Sequence, residues 1–159
     1  MKITIIAVGK IKENFFKDGI AEYAKRLSKF CTLEIIEVED EKLPEPLSEG
    51  FMLRARAKEA DRIREKIKPG GVVFALDVQG KRHSSEGFAE LLGDTMLAGK
   101  SAITFLIGGS VGFDATLLKE ADQRISMSDM TFPHQFARLI LLEQVYRAFK
   151  ILNNETYHK

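Results

Sequence analysis

Four short runs of almost unbroken apolar residues constrain this chain most: Lys2 to Val8, Leu33 to Val38, Val72 to Leu76 and Ala102 to Ile107. The first is β-branched and mostly apolar, a pattern that suits a strand buried on both faces better than an alternating edge strand. A parallel sheet is therefore expected. Between the runs the apolar period changes to that of a helix, through Ile20, Tyr23, Ala24 and Leu27 after Phe16, then through Leu53, Ala57, Ala60, Ile63 and Ile67. Pro69-Gly70-Gly71 stops the second of these helices. Ser84 or Ser85 caps another, which runs to about Ala98 and is closed by Gly99. Asp114 caps a short helix through Ala121, Ile125 to Met127 reads as a weak last strand, and Ala137 to Leu152 as the last helix. Asp40 to Gly50, acidic and holding Pro44 and Pro46, reads as a solvated loop. The alternation predicts one α/β domain over 1–159.

At 159 residues and 45% hydrophobic content, one such domain can bury a proper core. The opening apolar run breaks at Gly9-Lys10, before a secretory h-region could form, and no apolar run reaches the roughly 18 residues of a membrane span. A cytoplasmic protein is expected. Cys31 is the only cysteine, which excludes an intrachain disulfide and suggests a small buried hydrophobe. His83, His134 and His158 lie far apart, and no metal site is expected. A net charge of +1, from 24 basic and 23 acidic residues, argues against binding nucleic acid by bulk electrostatics, so any RNA contact must be local or pooled between subunits.

The last helix is apolar nearly all round. Ala137, Ile140, Leu141, Ala148 and Ile151 share one face, with Leu139, Leu142, Tyr146 and Phe149 roughly opposite. One face can pack on the sheet. The other leaves a choice between a helix sandwiched in one core and a dimer interface, and the second is favoured because terminal elements usually lie at the surface.

In an open parallel sheet, ligands bind beyond the carboxyl ends of the strands. Three loops end strands there: Leu76 to Lys81, Ile107 to Gly112, and Ser126 to His134. Glycines allow a ligand close to the backbone, while Met and Phe of the last loop could enclose an adenine. A plain glycine turn remains open for Gly108 to Gly112. Ile107 occupies the first position of the dinucleotide fingerprint, and neither a phosphate-binding P-loop nor a G-x-S-x-G elbow is present.

Leu76-Asp77-x-x-Gly80-Lys81, Ile107-Gly108-Gly109-x-x-Gly112, Met127-Ser128-x-Met130-Thr131-Phe132-Pro133-His134-x-x-x-Arg138, Glu143-Gln144-x-Tyr146-Arg147-Ala148 and Asn153-x-x-x-Tyr157-His158-Lys159 follow one another in this order. In them, and in Ala7 to Lys10 and Glu22 to Arg26, the chain resembles the RlmH family of 23S rRNA pseudouridine N3-methyltransferases over nearly its whole length. The resemblance implies a SPOUT fold, a parallel sheet flanked by helices with a C-terminal trefoil knot, a rare exception to the rule against threaded chains. It also implies S-adenosyl-L-methionine (AdoMet) as cofactor, a homodimer, and 23S rRNA in the ribosome as substrate. By position, the cofactor binders would be Leu76, Gly108, Met127, Ser128, Asp129, Met130, Thr131 and Phe132. Thr156 stands where the family usually has proline, and Gly87 interrupts a helix where many relatives have a better helix former.

Pseudouridine N3 is a weakly acidic imide that must lose its proton, and within this resemblance His158 is the candidate base. Tyr157 offers a ring for stacking on a base, and Arg138 is expected to hold a phosphate or the cofactor's carboxylate. Arg147, Lys150 and Lys159 form the expected RNA-facing stripe, extended by Lys10 and Lys12. A surface ion pair between Glu143 and Arg147 is the plainer reading of that pair. Two other classes stay open, a non-catalytic ribosome-binding module without AdoMet affinity and a nicotinamide- or flavin-binding enzyme.

Overall fold

The computed structural model describes residues 1 to 159. Its five strands are β1 (Lys2–Val8), β2 (Thr32–Val38), β3 (Val72–Arg82), β4 (Ala102–Ile107) and β5 (Gln123–Ser126), paired in the order β2-β1-β4-β3-β5. Every pairing is parallel, as the unbroken apolar runs imply. The helices are α1 (Asn14–Leu27), α2 (Glu49–Arg64), α3 (Ser85–Leu97), α4 (Ala115–Glu120) and α5 (His134–Leu152).

Side chains alternate across a strand, so β1 serves two cores at once. Ile3, Ile5 and Ala7 face α1, α3 and α5 through Leu27, Leu92, Leu141 and Phe149. Ile6 and Val8 face α2 and α4 through Ala60, Ile63 and Leu117. That double burial is why β1 and β4 carry no polar alternation, while the edge strand β2 retains Glu34 and Glu37.

Local caps place the helices much as the residues suggest. Ser84 Oγ accepts from the Gly87 amide at 3.0 Å, and Asp114 accepts from Thr116 and Leu117 at 3.0 and 3.1 Å. Cys31 packs against the larger core, and burial pushes its thiol up to about 11. No helix is long and apolar enough to cross a membrane.

Several boundaries differ from expectation, and α2 begins at Glu49 and ends at Arg64, short of Ile67. β3 continues to Arg82, since beyond Leu76 it pairs with β5 a second time through Lys81 and Arg82. Gly80 makes that return possible, because a Cβ there would stand 2.6 Å from the Arg124 carbonyl carbon. β5 begins at Gln123, with Asp122 Oδ2 accepting from the Val73 amide at 2.7 Å. α5 starts at His134, directly after Pro133.

The largest correction concerns α5. Its face bearing Leu142 and Phe149 is buried within this chain, with exposures of 0% and 5%. Phe149 stacks on Phe30 at 5.5 Å, and Tyr146 meets Tyr23 and Phe30 edge-on. Because α1 and α3 flank α5 on either side, both apolar faces are covered within the chain apart from Ile140. The outer strip of α5 carries exposed Phe136, then half-buried Ile140, Glu143, Gln144 and Arg147.

Candidate active site

At Leu76 β3 breaks its first pairing with β5, level with the end of β4. Leu76 sits between Ile107 and Ile125 in one lateral row, so the chain leaving β3, β4 and β5 brings three loops to one place. They enclose a cleft of about 610 Å³. Leu76, Gly108, Met127, Ser128, Met130, Thr131 and Phe132 of the expected binders line it. Asp129 does not, and its carboxylate turns outward to pair with Arg82 at 2.5 Å. Val78, Phe113 and His134 also line the cleft. A smaller cavity of about 200 Å³ lies beside it, sharing Leu76, Ile125, Met127 and Phe132 and reaching Gln144.

Each loop is held by its own residues. Arg56 Nε donates to the Val111 carbonyl at 2.5 Å, fixing the glycine turn from α2. Gly109 cannot be replaced freely, since a Cβ would meet Val8 Cγ1 at 2.9 Å, and Gly112 takes a left-handed φ of +78°. Behind Gly109 lies Glu59, 4% exposed, whose burial raises its carboxyl above the ordinary range. In the last loop Ser126 Oγ donates to the Ser128 carbonyl, and Ser128 Oγ accepts from the Met130 amide, both at 3.0 Å. The cleft is thus a preformed, mainly apolar hollow ringed by backbone amides and carbonyls, which fits an adenosine better than a phosphate group.

One polar atom in its wall has no protein partner. Nδ1 of His134 is buried and makes no hydrogen bond. Burial, then the neighbouring Arg138, depresses the imidazole's basicity. That nitrogen lies beneath the cleft surface, so the fit to a nucleoside-bearing group rests on the apolar walls of Leu76, Met127 and Phe132 and on the backbone groups of the glycine turn.

Arg138 departs from its expected role. It is 1% exposed, and its guanidinium donates to Glu37 Oε2 at 2.6 Å and to the Gly9 and Val8 carbonyls at 2.6 and 3.1 Å. It therefore braces the end of β1 against α5 instead of presenting a cation to a ligand. The reason is helical phase, for Arg138 shares the inward face with Ala137, Leu141 and Leu142.

The closing residues fold back on α5. Tyr157 OH donates to Glu143 Oε1 at 3.1 Å, and its ring lies 4.7 Å from the Arg147 guanidinium carbon. Burial, Tyr23 and Glu143 raise the Tyr157 phenol above its ordinary range, so it stays protonated. His158 lies between Arg147, 3.1 Å from Nδ1, and Glu86, 2.8 Å from Nε2. Because guanidinium only donates and carboxylate only accepts, this fits a neutral ring protonated at Nε2, its Nδ1 lone pair already engaged. Arg147 also pairs with Glu143 at 2.5 Å, as the plainer reading has it, and Lys150 pairs with Glu155. Lys159 is exposed. Lys150 adjoins Lys25 and Arg26 of α1 and Lys29 just beyond it around an open hollow that also holds Glu22 and Glu155, a grouping that sequence reading missed.

Cleft and tail stand apart in one chain. Ala137 borders the cleft and Arg147 holds the tail, which at 1.5 Å per residue puts them roughly 15 Å apart along α5. Nowhere do three or more His, Cys, Asp or Glu side chains gather as metal ligands would.

The family model described as "Predicted SPOUT methyltransferase" matches residues 1–158. The chain is 54% identical to Ribosomal RNA large subunit methyltransferase H of Ruminiclostridium cellulolyticum over 159 residues, all of both chains. The proteins of that name in Acetivibrio thermocellus and Limosilactobacillus reuteri are 55% and 54% identical, again over the full length of each chain. The end-to-end match and the three-loop cleft agree: this chain belongs to the SPOUT methyltransferase family.

Proposed function

We propose that this protein methylates N3 of a pseudouridine in large-subunit (23S) ribosomal RNA, using AdoMet, as a cytoplasmic homodimer. The cleft formed by Leu76, Gly108 and the Met127 to Phe132 loop carries the reading, since it is a preformed, mainly apolar hollow at the strand ends, and the relatives are named methyltransferases, whose reaction needs a methyl donor. When bound, AdoMet supplies an electrophilic methyl group on a sulfonium. The apolar walls exclude water, and the pinned loops fix the approach, so that positioning carries most of the rate.

Tyr157, His158 and Lys159 supply a stacking surface, an imidazole and a cation. In one chain they stand roughly 15 Å along α5 from the cleft. An antiparallel two-fold pairing of the outer α5 strips, with its centre between Ile140 and Glu143, would bring one subunit's tail to its partner's cleft. Release from Arg147 frees Nδ1 of His158 to take the imide proton. Lys150 and Lys159, with Lys25, Arg26 and Lys29, offer a local patch for RNA phosphates despite the small net charge, while Arg147 holds the tail.

Mass spectrometry of rRNA from a strain lacking this gene tests the activity. Loss of one methylated pseudouridine, restored by the gene, is expected, and an unchanged modification profile refutes it. Calorimetric titration with AdoMet separates the enzyme from a non-catalytic ribosome-binding module on the same fold, which would show no affinity.

A further inference from the structure

Gly109 separates the cleft from a buried carboxyl. On one side it lines the cleft with Gly108 and Ser110. On the other its backbone rests against α2, so closely that an added Cβ would stand 3.4 Å from Glu59 Oε2 and 2.9 Å from Val8 Cγ1. Ala55, Glu59 and Ile63 recur at helical spacing, which turns Glu59 inward to the layer where α2 packs on β1. Its Oε1 accepts from the Glu41 amide at 3.0 Å. Its Oε2 is buried and has no hydrogen-bond partner.

Little around this carboxyl favours a charge on it. Val8 of β1 and Gly109 bring none, while Asp40 and Glu41, in the connection from β2 to α2, oppose another negative charge. On α2 itself, Arg62 would favour one but is engaged by Glu41 Oε2 and the Glu39 carbonyl at 2.5 and 2.9 Å. Lys58 pairs with Glu41, and Arg56 donates to the Val111 carbonyl. A buried carboxylate with one oxygen unpaired is costly, a neutral carboxyl much less so. Burial is the largest reason that Glu59 keeps its proton above the ordinary carboxylate range. An anion there must draw in water, and on the Oε2 side Gly109 is the cover that has to lift.

We propose that Glu59 is a positioning residue for methyl transfer: neutral, it lets the glycine turn seat on α2, and charged, it admits water beneath Gly109 and loosens the cleft. The inference rests on that cleft binding AdoMet. Ionisation passes the proton to solvent and favours the lifted turn, whereas the ligand binds the seated one. Affinity for AdoMet therefore falls as the pH rises.

Calorimetric titration of the intact protein with AdoMet, from about pH 6 to about pH 9, tests this with wild type beside Glu59→Gln, which keeps the shape and stays neutral. The ratio of the two dissociation constants at each pH cancels the titration of the ligand's own amine and of groups common to both proteins. Wild type should weaken relative to the variant by at least about fivefold across that range. A flat ratio overturns the proposal, because a side chain that only fills space would shift affinity equally at every pH. Hydrogen exchange on the wild type alone gives a second reading. The Gly112 amide, which donates to the Gly109 carbonyl at 3.1 Å, should lose protection as the pH rises, after correction for intrinsic exchange, while the amides of β1 and β4 keep theirs. Constant protection at Gly112 overturns the proposal even if the variant fails to fold. If neither protein binds AdoMet at any pH, the methyl-donor reading fails, and exchange at Gly112 still decides whether Glu59 seats the turn.

Discussion

Single residues in this fold are chosen by how close the backbones come. At Gly108 a Cβ would meet nothing nearer than 3.4 Å, so a side chain fits there and would project into the cleft. Gly108→Arg is accordingly expected to abolish AdoMet binding while leaving the melting temperature near that of wild type, and unchanged affinity in titration would remove the cofactor from this cleft. His134 gives a pH signature. Burial lowers its basicity from an ordinary value of 6.5, so below that pH the unfolded chain takes up a proton that the folded chain resists. Stability from this group is full above about pH 6.5 and declines as the pH falls. Urea unfolding at about pH 7.5 and about pH 5.5 should show the decline, and His134→Gln should reduce it. The position of the three loops was legible from sequence because each follows an apolar run, while the glycines themselves were equally compatible with a plain turn. The inward turn of Arg138 was not, since an arginine beside an apolar stripe shows its partners only once β1 and β2 bring Glu37 and two carbonyls beneath it.

At the scale of elements, the strands were the easiest to read. β1 and β4 are covered on both faces, and such strands announce themselves by composition alone. The second half of β3 was illegible, because Asp77 to Arg82 is polar and its pairing with β5 depends on a return that only Gly80 permits. For α5 the sequence revealed two apolar faces but not their cover. Helical period counts how much surface must be buried, not which chain buries it. Leu142 therefore provides a test of the correction. Being 0% exposed inside the chain's own core, Leu142→Ala should cost about 3 kcal/mol in urea unfolding. That loss should be independent of protein concentration. A loss that grew on dilution would return Leu142 to an interface between subunits.

At the scale of the whole molecule, the tail poses the sharpest question, because in one chain it rests on the far stretch of α5 from the cleft. Tyr157 and His158 are not frayed, for Glu143, Arg147 and Glu86 hold them. Those contacts are partly exposed and mostly electrostatic, so each contributes little to stability and the tail can be drawn away by a better partner. Base stacking is one such gain, on the order of 1–3 kcal/mol per base. Deleting Tyr157 to Lys159 removes none of the residues that line the cleft and none of the Phe136 and Ile140 strip. Fold, dimer and AdoMet affinity should consequently survive within about twofold, while methylation of ribosomal RNA falls by orders of magnitude. Radiolabelled methyl incorporation into undermethylated ribosomes, measured beside AdoMet titration on one preparation, separates the two effects. Mixing the truncated chain with a Gly108→Arg chain adds a further arm: if one subunit's tail serves its partner's cleft, the heterodimer carries one intact composite site and regains activity. Turnover close to wild type by the truncated protein alone would show that the tail takes no part and that the imide proton leaves by another route.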